Sequence, residues 1–244
     1  FIPYKSGDTW ALYDLNSDSL YKEYTFDEWI PQGAFSDYFA FKVGGRYGVI
    51  ASSGDTIMPF EYDTVVTTEY GVLGSKGKVW NFPVFENYGM DTALSDEDNS
   101  EGYNFESLKL DSIFQQEEFI YLHRNGKVGL YVRGKIALQP EYQAIQPLDV
   151  VDLYAKSPPA ILAFDGTNFS FVDYQGNDLL GTSTPEFELM RNDFVRYKKN
   201  GRWMYYNFQT GKQFDSNGND VVIYSSTNYK VYGPDRKFPT MYHD

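Results

Sequence analysis

Catalysis needs nucleophiles, acid–base groups or metal ligands, and this sequence is sparing with most of them. It carries 34 Asp and Glu, two histidines and no cysteine. Without cysteine there is no thiol nucleophile, no disulfide and no thiolate metal site. His123 stands in a strand-like run just before Asn125-Gly126, in a slot where matching segments carry Val43 or Lys198. It reads as a surface histidine, and His243 as part of a terminal tail. No Ser-His-Asp set, His-x-x-x-His pair or phosphate-cradling glycine loop is visible. The sequence therefore assigns no catalytic residue, no binding residue and no metal ligand, and it implies no cofactor. Carboxylates remain the one plentiful resource. Two of them, brought together from distant segments, would suffice as acid and nucleophile on a glycoside.

The densest acidic stretch is 91–107, DTALSDEDNSEGYNFES. Asp96, Asp98 and Ser100 alternate as at the start of a calcium loop. Gly102 comes one place too late for that loop, and its twelfth position would be Ser107 instead of a bidentate Glu. The stretch reads as an exposed insertion or loop.

Aromatic side chains are the other abundant chemistry, with 22 Tyr, 19 Phe and 4 Trp. They stack on sugars or grip partner loops when exposed, and build cores when buried. Those that recur at equivalent positions read as core anchors of hairpins. Trp29, Tyr88 and Tyr103 lie off the pattern and read as surface candidates.

The pattern itself is a repeat. Residues 41–65, FKVGGRYGVIASSGDTIMPFEYDTV, return as residues 121–145, YLHRNGKVGLYVRGKIALQPEYQAI. Gly44-Gly45 and Asn125-Gly126 signal tight hairpins, which need positive φ. Gly54 and Gly134 mark a second reversal, with one residue fewer in the second copy. Between them the segments are aromatic and β-branched, without helical spacing. A glycine inside a strand, Gly48 or Gly129, points either to a close approach by another backbone or ring or to a bulge. Worn copies centre on Trp10, Val79, Phe169, Trp203 and Tyr229. With Tyr47 and Val128 these give seven anchors at a mean separation of about 36 residues, within the range of solenoids and propellers. A lone three-stranded meander cannot cover its apolar face, so each unit must lean on its neighbours.

These units resemble the WG-repeat (KWG) proteins of bacteria, whose unit runs Gly-Lys-Trp-Gly-apolar-apolar-Asp, a Gly turn, then apolar residues and Tyr-Asp-x-apolar. Here Tyr47 and Val128 replace the Trp, and Ala51 and Val132 the Asp. Trp203 does keep the Trp position, followed by Met204 instead of Gly. The resemblance implies an all-β repeat fold and carries no catalytic residues across.

The expected architecture is one domain over 1–244, interrupted near 91–107: tandem antiparallel hairpin or meander repeats in a propeller-like ring, or alternatively an open superhelical β array. Net charge is −13 and the isoelectric point about 4.6. That repels phosphate backbones and anionic lipid, so neither nucleic acid nor a membrane surface is an expected partner. No apolar run approaches a membrane span. The chain opens mid-pattern on Phe1-Ile2-Pro3 without Met, as a mature or trimmed chain would. Its Tyr-, Asn-, Asp- and Gly-rich style resembles exported Bacteroidetes proteins, which implies an extracytoplasmic location, periplasm or cell surface. The expected function is a non-enzymatic repeat scaffold presenting a binding surface to a protein or glycan partner. The alternative is a propeller-type carbohydrate-active enzyme using paired carboxylates. Oligomeric state is left open.

Overall fold

The computed structural model describes residues 1–30, 38–68, 71–85, 105–116, 118–148, 160–190, 193–225, 228–233 and 240–243. Among them the regular structure is β, apart from a single 3-10 turn at Glu106–Leu108. The chain divides into two compact units, Phe1–Arg124 and Asn125–Asp244.

Seven antiparallel sheets follow one another along the described residues. The first is β1 (Ile2–Ser6), β2 (Thr9–Asp14) and β3 (Ser19–Phe26). The second holds β4 (Glu28–Ile30), β5 (Tyr38–Val43), β6 (Arg46–Ala51) and β7 (Thr56–Tyr62). The third holds β8 (Thr64–Thr68), β9 (Gly71–Lys76) and β10 (Val79–Phe85). The fourth holds β11 (Ser112–Gln116), β12 (Phe119–Arg124), β13 (Lys127–Val132) and β14 (Lys135–Tyr142). The fifth holds β15 (Ala144–Leu148), β16 (Ala160–Phe164) and β17 (Phe169–Asp173). The sixth holds β18 (Phe187–Leu189), β19 (Phe194–Lys199), β20 (Arg202–Asn207) and β21 (Gln213–Asp215). The last holds β22 (Asp220–Ser225), β23 (Asn228–Tyr232) and β24 (Thr240–His243). In every sheet the strands are ordered as they occur in the chain. This is the all-β repeat fold that the turn chemistry predicts. The terminal segment around His243 is a paired strand, with His243 opposite Asn228.

The turns behave as the glycines require. Gly44 and Gly45 have φ of 56° and 83°, Asn125 and Gly126 51° and 72°, and Asn200 and Gly201 52° and 77°. Two successive positive-φ residues match the twist of the flanking strands. The second turns explain the length difference between the two good copies. Arg133 and Gly134 form a two-residue turn closed by Val132 opposite Lys135. The first copy closes a longer one, with the Ala51 N–H donating to the Asp55 carbonyl at 2.8 Å.

The strand glycines turn out to satisfy both readings at once. In each copy the pairing slips at the glycine: Tyr47 faces Tyr62 and Val49 faces Met58, as Val128 faces Tyr142 and Leu130 faces Leu138. The outer strand bulges by two extra residues there, and the bulge folds over the glycine. A Cβ on Gly48 would sit 2.8 Å from the Met58 carbonyl oxygen and the Phe60 ring. A Cβ on Gly129 would sit 2.6 Å from both the Leu138 oxygen and the Pro140 nitrogen.

Consecutive sheets share cores. Leu12 and Phe26 of the first sheet cluster with Phe41 and Ile50 of the second, with the Phe26 and Phe41 rings stacked at 3.9 Å. Tyr38, Val49, Met58 and Tyr62 of the second sheet cluster with Val65 and Val72 of the third. Ala160 and Phe171 of the fifth cluster with Val195, Tyr197 and Tyr206 of the sixth. Each fully buried aromatic contributes on the order of 2–3 kcal/mol of transfer free energy, and no sheet in these clusters buries its apolar face alone.

A polar device joins the same sheets. Asp27 leaves the first sheet, donates its N–H to the Lys42 carbonyl at 2.8 Å, and its carboxylate accepts the Gly44 N–H at 2.7 Å. Asp63 does the same one sheet later, with the Ser75 carbonyl at 2.8 Å and the Gly77 N–H at 2.6 Å. The Asp of the Tyr-Asp-x-apolar motif thus closes the hairpin turn of the sheet that follows.

Candidate functional site

Two of the anchors, Val128 and Tyr229, are buried, but four others are not the deepest residues of their sheets. Trp10, Tyr47, Phe169 and Trp203 are half-buried, while the positions two further along, Leu12, Val49, Phe171 and Tyr205, lie inside. In the third sheet the register puts Trp80, not Val79, at the anchor position, because Val79 already pairs with Lys76 across the turn. Two anchors carry a lysine from the opposite strand: Lys42 lies 5.0 Å over the Tyr47 ring and Lys198 4.3 Å over Trp203. Amphipathic lysine stems cover the rings while the ammonium stays in water.

Trp29, read as a surface aromatic, is instead half-buried against Trp10 at 4.9 Å, beside the core that joins the first two sheets. Its position belongs to the pattern after all: Phe26-Asp27-Glu28-Trp29 stands where Tyr62-Asp63-Thr64-Val65 does, and β4 opens its sheet as β8 opens the next. Tyr88 and Tyr103 lie outside the described residues, as does most of the acidic stretch 91–107. The end of that stretch is described: Phe105 is fully buried and its N–H donates to the Trp80 carbonyl at 3.1 Å. His123 is half-buried in β12, opposite Ser112. Among the described residues no three His, Asp or Glu side chains come together as metal ligands. No helix among them is long and apolar enough to cross a membrane, which does not bear on strands.

The concavity that stands out lies in the second unit, where the sixth sheet loses a strand. The pairing of β20 with β21 runs from Tyr206 opposite Gln213 to Met204 opposite Asp215 and stops there. The chain then turns through Ser216 to Asn219 into β22. Arg202 and Trp203 are left beyond the last pair, and a cleft of about 670 Å³ opens between them and that turn. This size is usual for small-ligand sites.

Its walls are held from behind. Arg196 lies 4.7 Å from the Trp203 ring on the same strand that supplies Lys198, and its Nε donates to Glu188 at 2.7 Å. Burial works against the Arg196 charge, but hydrogen bonds to Glu188 and Tyr205 outweigh it and raise the guanidinium's pKa further. Tyr205 stacks on Phe214 at 5.0 Å, and Phe214 stacks on Tyr229 at 4.3 Å, both pairs nearly parallel. Tyr197 behind the sheet is fully buried, and its hydroxyl donates to Gln213 at 2.8 Å. Arg202 is an exposed wall residue, 3.8 Å from Asp215.

Trp203 is an anchor of the sequence pattern, but the cleft beside it is not part of that pattern, because it is made by a strand that stops early. One signal was present. Residues 191–212 hold six basic residues and one acidic residue, in a chain of net charge −13.

No family model and no curated protein matches the sequence. Solved structures with some likeness include Kluyveromyces lactis Hsv2p, at 8% identity and a TM-score of 0.33 over 98% of this chain and 88% of that one. The CNH domain of AfRom2 aligns at 8% identity and a TM-score of 0.31, over 96% and 90%. PorZ, a bacterial surface component of the type-IX secretion system of Porphyromonas gingivalis, aligns at 9% and 0.30, over 90% of this chain and 33% of that one. Likeness at these scores bears on neither activity nor partners.

Proposed function

We propose that the chain is a non-enzymatic repeat scaffold of WG-like type that presents a binding surface to a protein or glycan partner. The supporting observation is the cleft of the sixth sheet. Arg, Trp and Tyr dominate binding energetics at interfaces, and here Trp203 and Tyr205 are fixed by cations and stacked rings before any ligand arrives. Walls that are already ordered lose little entropy on binding. In this reading 1–244 acts as one domain, in the periplasm or at the cell surface, without cofactor or metal. A glycosidase would need two carboxylates about 5–10 Å apart; Asp215 and Asp220 both line the cleft, so glycoside cleavage is the outcome that separates an enzyme from a scaffold.

A cysteine-free chain allows a direct test. An environment-sensitive fluorophore on Asn219→Cys reports from the cleft, and one on Thr9→Cys from the first sheet. Screened against panels of glycans and of proteins, a ligand is expected to move the first probe and not the second, with no sugar released from any glycoside. Silence of the cleft probe towards every member of both panels, or glycoside cleavage abolished by Asp215→Asn, would overturn the scaffold.

Ring closure and an open array part on deletion of 221–244. A closed ring should unfold cooperatively, whereas an array should lose its last sheet alone.

A further inference from the structure

We infer that the cleft and the adjoining β19–β20 hairpin take an acidic polypeptide segment, laid in extended form beside the uncovered start of β20. This rests on the scaffold reading and narrows its partner.

Three observations converge. The hairpin is the basic part of an acidic chain, and at its tip Lys199 stands directly opposite Arg202 across the Asn200-Gly201 turn. Lys198 and Lys199 have no carboxylate partner among the described residues, and Arg202 has one only at 3.8 Å, with its side chain 74% exposed. These cations are available, unlike Lys42 and Lys76, which face Glu28 and Glu61. Finally, the β20 edge is covered by β21 only from Met204 onward, so Arg202 and Trp203 border the cleft where a third strand is missing.

Each observation selects something. Uncompensated cations at a rim draw anionic groups and raise the association rate. An open strand edge favours a polypeptide over a polysaccharide, because an added strand supplies backbone donors and acceptors at the strand period while its alternate side chains point to one face. A segment with acidic residues at every second position satisfies both. Asp215 and Asp220 line the opposite wall, so the acidic side chains must run along β19–β20 and not along the turn.

The test uses the intact chain and a short labelled peptide of alternating Glu and Val, followed by fluorescence anisotropy. A Gln-for-Glu peptide and polygalacturonate serve as comparators. Binding of the Glu peptide is expected, weakening at least about tenfold for the Gln peptide and for K198E/K199E, and falling with added salt. Both lysines are half-buried on the hairpin, and an unchanged circular-dichroism melt confirms that the double variant is folded. Asp215→Asn with Asp220→Asn is expected to tighten binding about threefold or more by removing repulsion. No binding of the Glu peptide, binding indifferent to K198E/K199E, or tighter binding of polygalacturonate at the same lysines would each overturn the proposal. None of these results touches the scaffold reading, which the Asn219 probe scores against any ligand whatever its charge.

Discussion

The two well-preserved copies, 38–65 and 119–145, share a fold and differ in how they hand on to the next sheet. In the first, Asp63 pairs with Arg46 of its own hairpin and caps the Gly77 turn of the next. In the second, Gln143 keeps the backbone half of the device, donating its N–H to the Phe164 carbonyl at 2.7 Å, but it has no carboxylate to offer. The next turn then serves itself. Asp165 accepts the N–H groups of Thr167 and Asn168 at 2.7 and 2.8 Å, and Lys127, at the Arg46 position, reaches the Asp165 carbonyl at 3.3 Å. The tyrosine before each exit residue differs too. Tyr62 is buried on Gly74, whereas Tyr142 is half-buried in the repeat whose matching position is Ala163. The geometry of the meander is thus kept by glycines and turns, while the polar couplings between sheets are exchangeable.

The glycines should separate the copies most. A Cβ at Gly129 meets only backbone, which cannot step aside, whereas at Gly48 part of the obstruction is the Phe60 ring. Gly129→Ala is expected to lower stability by about 3 kcal/mol or more, and Gly48→Ala by about 1–3 kcal/mol, read from denaturant unfolding. Equal effects would mean that the bulges are softer than the contacts imply.

Gly74→Ala gives the first copy the residue of the second. The new Cβ lies 2.5 Å from the Tyr62 ring, so the ring must move outward. A loss of about 1–3 kcal/mol and a more exposed, more readily iodinated Tyr62 are expected. The reciprocal Ala163→Gly should cost about 1 kcal/mol or less, through backbone entropy.

Asp63→Asn removes one ion pair and a charge-assisted hydrogen bond. With the carboxylate 42% exposed, the loss should be about 1 kcal/mol. Gln143→Ala should stay within about 0.5 kcal/mol.

The smallest effect concerns pH. Hydrogen bonds from the Asn168 and Thr167 N–H groups hold the Asp165 carboxyl below the usual carboxylate range. Its contribution is therefore complete above the ordinary Asp value and fades as pH falls through the lowered one. Asp165→Asn should flatten that part of the acid limb, and carboxyl NMR titration of Asp165 should show the depressed midpoint.

Much of this was legible in the sequence, for a local reason. A Gly-Gly or Asn-Gly pair dictates its own backbone whatever surrounds it, so Gly44-Gly45 and Asn125-Gly126 located their hairpins. Gly48 and Gly129 announced a close contact through the missing Cβ. What failed was anything that depends on where a strand ends. Val79 was placed one residue off because the Gly77-Lys78 turn is itself the two-residue loop. Trp29 looks free only until Phe26-Asp27-Glu28-Trp29 is matched to Tyr62-Asp63-Thr64-Val65, which puts it at the inward Val65 position. The cleft beside Trp203 exists because β21 stops at Asp215; Asn217 to Asp220 read as a turn, but that turn does not say how much of β20 it leaves unpaired. The role of Asp27 and Asp63 was hidden in the same way, since their partners belong to the following sheet.

Hydrogen exchange on Asp63→Asn tests the central idea, that each meander is closed by its neighbour, most directly. Protection is expected to fall in 71–80, around the Gly77 turn, while 119–145 exchanges as in the parent chain. Unchanged protection at 71–80, or loss spread evenly over both copies, would contradict it.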